Sequence, residues 1–333
     1  MSSVTRWELL ASTEEAWQRV LAAAEASTRS IAIEQYILGD SGPFVDTLFE
    51  VLRRKAREGV RVRLLIDAVG SFLFYQSSLP GALRESGIEL VFHRTLLPPS
   101  WRRILPSLLR DHRKLWIFDD REAFVGGVIF EDRARDWRDT TVVLAGGIVA
   151  DAARLFETAW QKTGRGRPVG PMRSEESGEF YFLGNSFRLR DKHLYRLLIR
   201  KIAEANTSVD ITTPYFALTH QMRRALRYAL GKGVRVRLLA PDKSDNRLAD
   251  ILTNYHLRWC GRHGIQVFRY TASILHAKTV AIDGNWATVG SCNFDWLSFF
   301  FNYELNIVSE NAEFSAKLRE QFEKDLATNS ASR

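Results

Sequence analysis

Apolar and polar residues alternate in the same way at two places along the chain. The heptapeptide GVRVRLL stands at 59–65 and again at 233–239. Its period of two predicts a strand. Each copy follows a stretch with helical apolar spacing, FVDTLFEVLRRKARE before the first and QMRRALRYALGK before the second. The glycine at each junction suits a helix C-terminus, where a left-handed residue closes the last turn. Further upstream, SIAIEQYIL (30–38) and SVDITTPYF (208–216) read as strands. Each half then runs strand, helix, strand, helix, a hairpin and a closing helix.

The hairpins carry the chemistry. RDHRKLWIFDD (110–120) holds His112, Lys114 and Asp119, and ILHAKTVAIDGN (274–285) holds His276, Lys278 and Asp283. The heptapeptides are offset by 174 residues and the histidines by 164, in the same order, which points to an internal duplication. The segment QKTGRGRPVGPMRSEESGE (161–179) has no apolar period and is rich in Gly, Pro, Arg and Ser, so it reads as the seam. The expected organisation is a first domain over 1–165, a linker over 166–179 and a second domain over 180–333. The order of elements favours an α/β fold, with a mixed sheet flanked by helices in each half.

In a strand, residues i and i+2 share a face, so His276 and Lys278 point the same way, as do His112 and Lys114. Asp283 lies an odd number of residues from Lys278 and opens DGN, a tight-turn signal, so it is expected to fix the hairpin end; Asp119 is its counterpart. Glycines follow each hairpin, in VGGVIF (Gly126, Gly127) and VGSCNF (Gly290), the second with Ser291 and Asn293 as donors. Asp139 in WRDT and Glu304 in NYELN stand further on. A carboxylate on imidazole Nδ1 would fix the tautomer and leave Nε2 free. The other five of the seven histidines lack a lysine two residues on and an aspartate seven residues on.

Two histidines, two lysines and a few neutral donors form a phosphate site. Lysines neutralise non-bridging oxygens; one neutral imidazole attacks phosphorus while the other, protonated, releases the leaving alkoxide. No cofactor or metal is expected, since Lys supplies the charge and zinc-ligand spacing is absent.

Composition narrows the partner. The chain has 333 residues, 45% of them hydrophobic, and a formal net charge of +8, which favours phosphate-bearing partners. Its two cysteines, Cys260 and Cys292, are too few for a disulfide framework and point to a reducing compartment. The first residues, MSSVTRWELLASTEEAW, do not read as a signal peptide. No run approaches the roughly 18 apolar residues of a membrane-spanning helix.

HxKxxxxD twice, GSCN after the second copy and a glutamate eleven residues past Asn293 resemble the phospholipase D superfamily. QYILGDSGPFVDTL, GVRVRLLIDAVGS, ITTPYF and GSCNFDWLSFFFNYELN resemble its bacterial cardiolipin synthase branch, in a short form without N-terminal membrane helices. The resemblance implies two tandem phospholipase D-like α/β sandwich domains related by a pseudo-twofold axis, one site at their interface and a covalent phosphohistidine. It implies His112 as nucleophile and His276 as general acid and base. Lys114, Lys278, Ser291, Asn293 and the glycines would hold phosphate, and Asp139 and Glu304 would orient the imidazoles. The chain departs from the family's GGxN at Ile129 and from its DxRS at DWLS (295–298).

The expected activity is phosphatidyl transfer of cardiolipin synthase type, from phosphatidylglycerol to an alcohol acceptor. The expected place is the cytoplasm, peripheral on the inner face of the cell membrane. LLPPSWRRILPSLLRDHRK (96–114) mixes apolar and basic residues as an interfacial segment would, and FFF (299–301) would add an acyl-chain wall. The alternatives are a hydrolytic phospholipase D, a nucleic-acid phosphodiesterase, disfavoured because no stacking platform stands out, and a lipid-binding relative of low activity.

Overall fold

The computed structural model describes residues 5–93, 109–164, 174, 178–186 and 191–330. Strands β1 (Arg6–Leu10), β2 (Ser30–Gln35), β3 (Arg61–Asp67), β4 (Glu89–His93), β5 (Leu115–Phe118), β6 (Glu122–Gly126) and β7 (Thr141–Ala145) form one seven-stranded sheet, in the order β1-β7-β6-β5-β2-β3-β4. Strands β8 (Phe180–Asn185), β9 (Ser208–Thr212), β10 (Arg235–Pro241), β11 (Gln266–Tyr270), β12 (Thr279–Ile282), β13 (Trp286–Gly290) and β14 (Glu304–Ser309) form the other, β8-β14-β13-β12-β9-β10-β11. The topologies are identical strand for strand. In each, three strands run parallel (β2, β3, β4; β9, β10, β11) and the rest pair antiparallel.

The described helices are α1 (Thr13–Ala26), α2 (Pro43–Arg57), α3 (Phe72–Gln76), α4 (Leu79–Glu85), α5 (Ile148–Gly164), α6 (His193–Glu204), α7 (His220–Gly231), α8 (Arg247–Arg262), α9 (Trp296–Phe300) and α10 (Ala312–Ser330). The repeated heptapeptide begins where α2 and α7 stop. Gly59 and Gly233 have φ of 88° and 81°. The next residue's N–H bonds back to the helix in both copies, Val60 to Lys55 O at 3.0 Å and Val234 to Ala229 O at 3.1 Å. That is the Schellman closure which glycine favours.

Period-two alternation then splits each sheet between two cores. Ile31 and Ile33 of β2, and Trp116 and Phe118 of β5, pack under α1 and α2. Val280 and Ile282 of β12 pack under α6 and α7. The intervening side chains of both sheets, among them Leu115, Ile117, Ala281 and Val289, share a third core with α5 and the start of α10. Both sheet faces are therefore buried, and the halves meet through one apolar seam.

The strands expected before and within each hairpin are present, and so are six not expected: edge strands β1 and β8, third parallel strands β4 and β11, and β7 and β14 after the hairpins. The expected linker lies, apart from Ser174, Gly178 and Glu179, outside the described residues, and so does the interfacial segment up to residue 108. Among the described residues no helix is long and apolar enough to cross a membrane.

Candidate active site

The two His-x-Lys stretches lie just before β5 and β12 rather than inside them. Each is held by the opposite half. His112 N–H donates to Tyr303 O at 3.0 Å and Tyr303 N–H donates to Arg110 O at 2.9 Å. In the same pattern, His276 N–H donates to Arg138 O at 2.8 Å and Arg138 N–H donates to Ile274 O at 2.9 Å. These pseudo-symmetric bridges bring one histidine from each half to the seam.

Side chains repeat the exchange. Glu304 Oε2 of the second half lies 3.0 Å from Nδ1 of His112, and Asp139 Oδ2 of the first half lies 2.6 Å from Nδ1 of His276. Asp139 also accepts from Thr140 N–H at 2.7 Å. An ionised carboxylate on Nδ1 keeps the proton there and leaves Nε2 with its lone pair. Lys114 and Lys278 are buried beside them. Lys114 Nζ donates to His112 O at 2.8 Å, and Lys278 Nζ bonds to His276 O and lies 2.8 Å from His276 Nδ1.

The electrostatics of this cluster are strained. Burial pushes His112 below the ordinary imidazole value, against the pull of Glu304. Burial and the Lys278 ammonium push His276 down to about 4, against the pull of Asp139. Burial and the Lys278 ammonium hold Lys114 at about 7, and burial holds Lys278 at about 8. Lys278 acts on both histidines and on the other lysine, so the four basic side chains share one cluster. Both imidazoles are held below their ordinary value, which favours their neutral forms. The cause is burial of four basic groups together, which outweighs the pull of Glu304 and Asp139.

The other expected site residues fall in different places. Asn293, two residues past Ser291, is buried with its Oδ1 unpartnered. Its counterpart Ile129 packs into the first-half core, so no amide stands at the equivalent position. Ser291 is a correction: its hydroxyl donates to Glu304 Oε2 at 2.5 Å, so it orients that carboxylate instead of facing substrate. The three glycines are a second correction. A Cβ on Gly126 or Gly290 would stand 2.4 Å from backbone oxygen of the next strand, and one on Gly127 2.2 Å from Asp139 Oδ1. The N–H groups of Gly127 and Gly290 donate to Thr140 O and Lys278 O, leaving them no hydrogen for a phosphate. These residues permit close approach.

Asp119 and Asp283, grouped with the catalytic residues by motif, sit at the far ends of their strands. Asp119 accepts from the N–H groups of Thr28, Arg29 and Ser30 at 2.7–3.2 Å. Asp283 accepts from those of Asn206, Thr207 and Ser208 at 2.8–3.0 Å. Each ties its hairpin to the strand beside it, as the turn signal implied. In FFF, Phe299 is core and Phe300 packs against the same core, so only Phe301 is exposed.

Several neighbours were not singled out in the sequence. Tyr36 packs edge-on to His112, with ring centroids 4.7 Å apart. Tyr215 donates to Asp245, whose charge acts on His276 and Lys278. Asp295, pushed up to about 6 by burial, caps α9 through Ser298 N–H at 2.8 Å. Arg138 grips Asp325 of α10 and Asp139 O at 2.6 Å, pinning the carboxylate of His276. Tyr36 directly follows β2 and Tyr215 stands three residues past β9, so both lie outside the strands, within the stretches QYIL and TPYF.

Residues 198–326 match the family model described as cardiolipin synthase, PLD-like domain. The chain is 30% identical to the probable cardiolipin synthase YwiE of Bacillus subtilis (strain 168), over 96% of this chain and 65% of that protein. It is 29% identical to cardiolipin synthase 2 of Bacillus anthracis, over 99% of this chain and 66% of the relative. It thus spans about two thirds of the length of these curated relatives. The crystal structure of phosphatidylserine synthase from Haemophilus influenzae Rd KW20 superposes with a TM-score of 0.74 at 12% identity, covering 97% of this chain and 87% of that one, a likeness of fold. The duplicated sheets, the paired His-x-Lys stretches and these matches agree: the second half carries a phospholipase D-like domain of the cardiolipin synthase family model, and the chain is similar to cardiolipin synthases over nearly its whole length.

Proposed function

We propose that the chain is a phosphatidyltransferase of cardiolipin synthase type, using phosphatidylglycerol as donor and a lipid or polyol hydroxyl as acceptor. The observation that carries this is the reciprocal pairing of His112 with Glu304 and His276 with Asp139 around two buried lysines. His112, neutral and with Nε2 free, attacks phosphorus. The bond from phosphorus to the headgroup glycerol oxygen breaks, and His276 gives that oxygen its proton. The product is a phosphatidyl group on His112 and free glycerol. His276, now neutral, takes the proton of an acceptor hydroxyl, which attacks phosphorus and releases His112.

His276 must be protonated for the first step, although burial and the Lys278 ammonium hold it low. The phosphodiester anion reverses that balance: it lies beside His276 and both lysines and raises all three. Lys114, Lys278 and the amide of Asn293 hold the non-bridging oxygens as charge grows on them. The chain would do this work peripherally, on the inner face of the cell membrane.

The test is purified protein with phosphatidylglycerol vesicles and EDTA. Cardiolipin and glycerol, lost in both His112→Ala and His276→Ala, are the expected products. Phosphatidic acid alone would make the protein a hydrolytic phospholipase D. Cleavage of DNA in place of lipid, or lipid binding with no product, would overturn the proposal.

A further inference from the structure

The outward face of α8 is apolar where a helix over a buried core is usually polar. Thr253, His256, Leu257 and Cys260 face inward. On the opposite side, at helical spacing, Leu248 is 79% exposed, Ile251 69%, Leu252 50% and Tyr255 61%. The stripe continues into exposed Arg258 and Arg262, with exposed Arg247 and Lys243 at the other end. Asp250 is the one acidic residue of α8, and its carboxylate turns back to accept from Ser244 N–H at 3.2 Å. Among the described residues none of the three arginines is paired with a carboxylate.

Two further helices show the same anomaly at the same end of the sheets. Trp296 and Leu297 of α9 are 56% and 62% exposed, and Phe72 and Leu73 of α3 are also exposed. Strand register explains why these belong together. Glu34 pairs with Leu115 and Gln35 with Ile66, so α3 leaves the sheet beside the entry of His112. Thr279 pairs with both Thr212 and Val289, so α9 leaves beside the entry of His276. Two residues before α8, Asp245 accepts from Tyr215, and its charge acts on His276 and Lys278. The first turn of α8, with α9 and α3, therefore lies at the end of the molecule where both imidazoles lie, and the rest of α8 runs back along the sheet, because β10 and β11 are parallel.

We infer that α8 is a membrane-docking helix that lies in the headgroup plane of an anionic bilayer, with α9 and α3 completing the rim. Leu248, Ile251 and Leu252 enter the acyl boundary, Tyr255 sits at headgroup depth, and Arg247, Arg258 and Arg262 meet lipid phosphates. Charge selects this occupant. The helix carries three arginines against one aspartate, so two copies apposed through this stripe would repel, whereas phosphatidylglycerol supplies the missing anions.

The inference rests on the phospholipid reading above, but its test needs no turnover. Full-length protein carrying His112→Ala is sedimented with vesicles of phosphatidylcholine alone and of phosphatidylcholine with phosphatidylglycerol. Binding is expected only to the anionic vesicles. Leu248→Ser, Ile251→Ser and Leu252→Ser together should weaken it roughly 10- to 100-fold, and Arg258→Glu with Arg262→Glu by about tenfold or more. On the catalytic background, the serine variant should lose turnover on vesicles in proportion and keep turnover on a short-chain, monomeric phosphatidylglycerol. Vesicle binding unchanged by the serine substitutions would overturn the inference. So would a wild-type dimer that the substitutions convert to monomer without altering vesicle binding, or equal loss on the monomeric lipid. Anionic binding that depends on the stripe, in a wild type that forms no lipid product, would sustain the docking role and sink the proposed activity.

Discussion

Glu304 lies 192 residues along the chain from His112, yet its Oε2 stands 3.0 Å from the imidazole Nδ1. The reverse pair, Asp139 and His276, is 137 residues apart at 2.6 Å. Neither half can complete its own histidine. Glu304→Gln and Asp139→Asn keep the shape and remove the charge that holds the Nδ1 proton. Each should lower kcat on the order of 10² to 10⁴ with little change in KM. Combining them should cost far less than the sum, because both serve one phosphorus centre. Steady-state kinetics on phosphatidylglycerol, with circular dichroism to confirm folding, measures this. Additive losses would mean two independent sites.

Lys114 is fully buried with its pKa held at about 7, and Lys278 stands at about 8. On the proposed reading, a headgroup anion binds the protonated forms. Affinity for glycerophosphoglycerol, whose charge is constant in this range, should therefore fall between pH 6.5 and 9, approaching tenfold per unit for each lysine above its own value. Titration calorimetry reads the slope, and a flat profile would mean the lysines do not meet the phosphate. Stability has the opposite sign. From about pH 7 to the ordinary lysine value the unfolded chain holds more protons than the folded one, so stability from Lys114 rises with pH. Lys114→Met should remove that rise and stabilise the fold at pH 7 by about 1–3 kcal/mol, while activity drops by about 10² or more.

Much of this was legible because duplication prints the same local rules twice. The Schellman glycines, the period-two heptapeptides and the paired histidines each had a second copy to check against. The crossing of the carboxylates was not legible: WRDT and NYELN show that Asp139 and Glu304 exist, but only the bridges at Tyr303 and Arg138 decide which imidazole each meets. Ser291 and Gly127 misled for a related reason. Composition marks them as donors near a phosphate, while packing gives the hydroxyl to Glu304 and the glycine's missing Cβ to Asp139. The outward stripe of α8 was hidden because apolar residues occupy both of its faces.

The motif aspartates Asp119 and Asp283 each gather three backbone N–H groups at a turn whose leading residue has φ of 53°. Asp119→Ala should cost about 1–3 kcal/mol, the loss of several charge-assisted bonds to half-buried backbone N–H groups. It should leave kcat within a few-fold of wild type well below the melting temperature. The bonded carboxylates sit below the usual range, so their stabilisation is complete above about pH 4 and lost as pH falls through the lowered values. Denaturant melts of the wild type and the variant across pH 3–7 should converge at the acid end. A kcat collapse in folded protein would return Asp119 to the chemistry.

Gly127 gives the most local test of how the fold positions a catalytic group. A methyl there would stand 2.2 Å from Asp139 Oδ1 and 2.9 Å from its Cγ, so the carboxylate must shift. Asp139 Oδ2 is the Nδ1 partner of His276, and Arg138 fixes the backbone behind it, so the shift is transmitted to the imidazole. Gly127→Ala should thus lower kcat by roughly 10–10² with KM nearly unchanged, and imidazole nitrogen NMR should show His276 losing its fixed Nδ1–H tautomer. Asp139→Asn in the Gly127→Ala background should add little, because the contact is already broken. Were Gly127 instead a phosphate-binding residue, the alanine variant would raise KM, leave the His276 tautomer intact, and remain sensitive to Asp139→Asn.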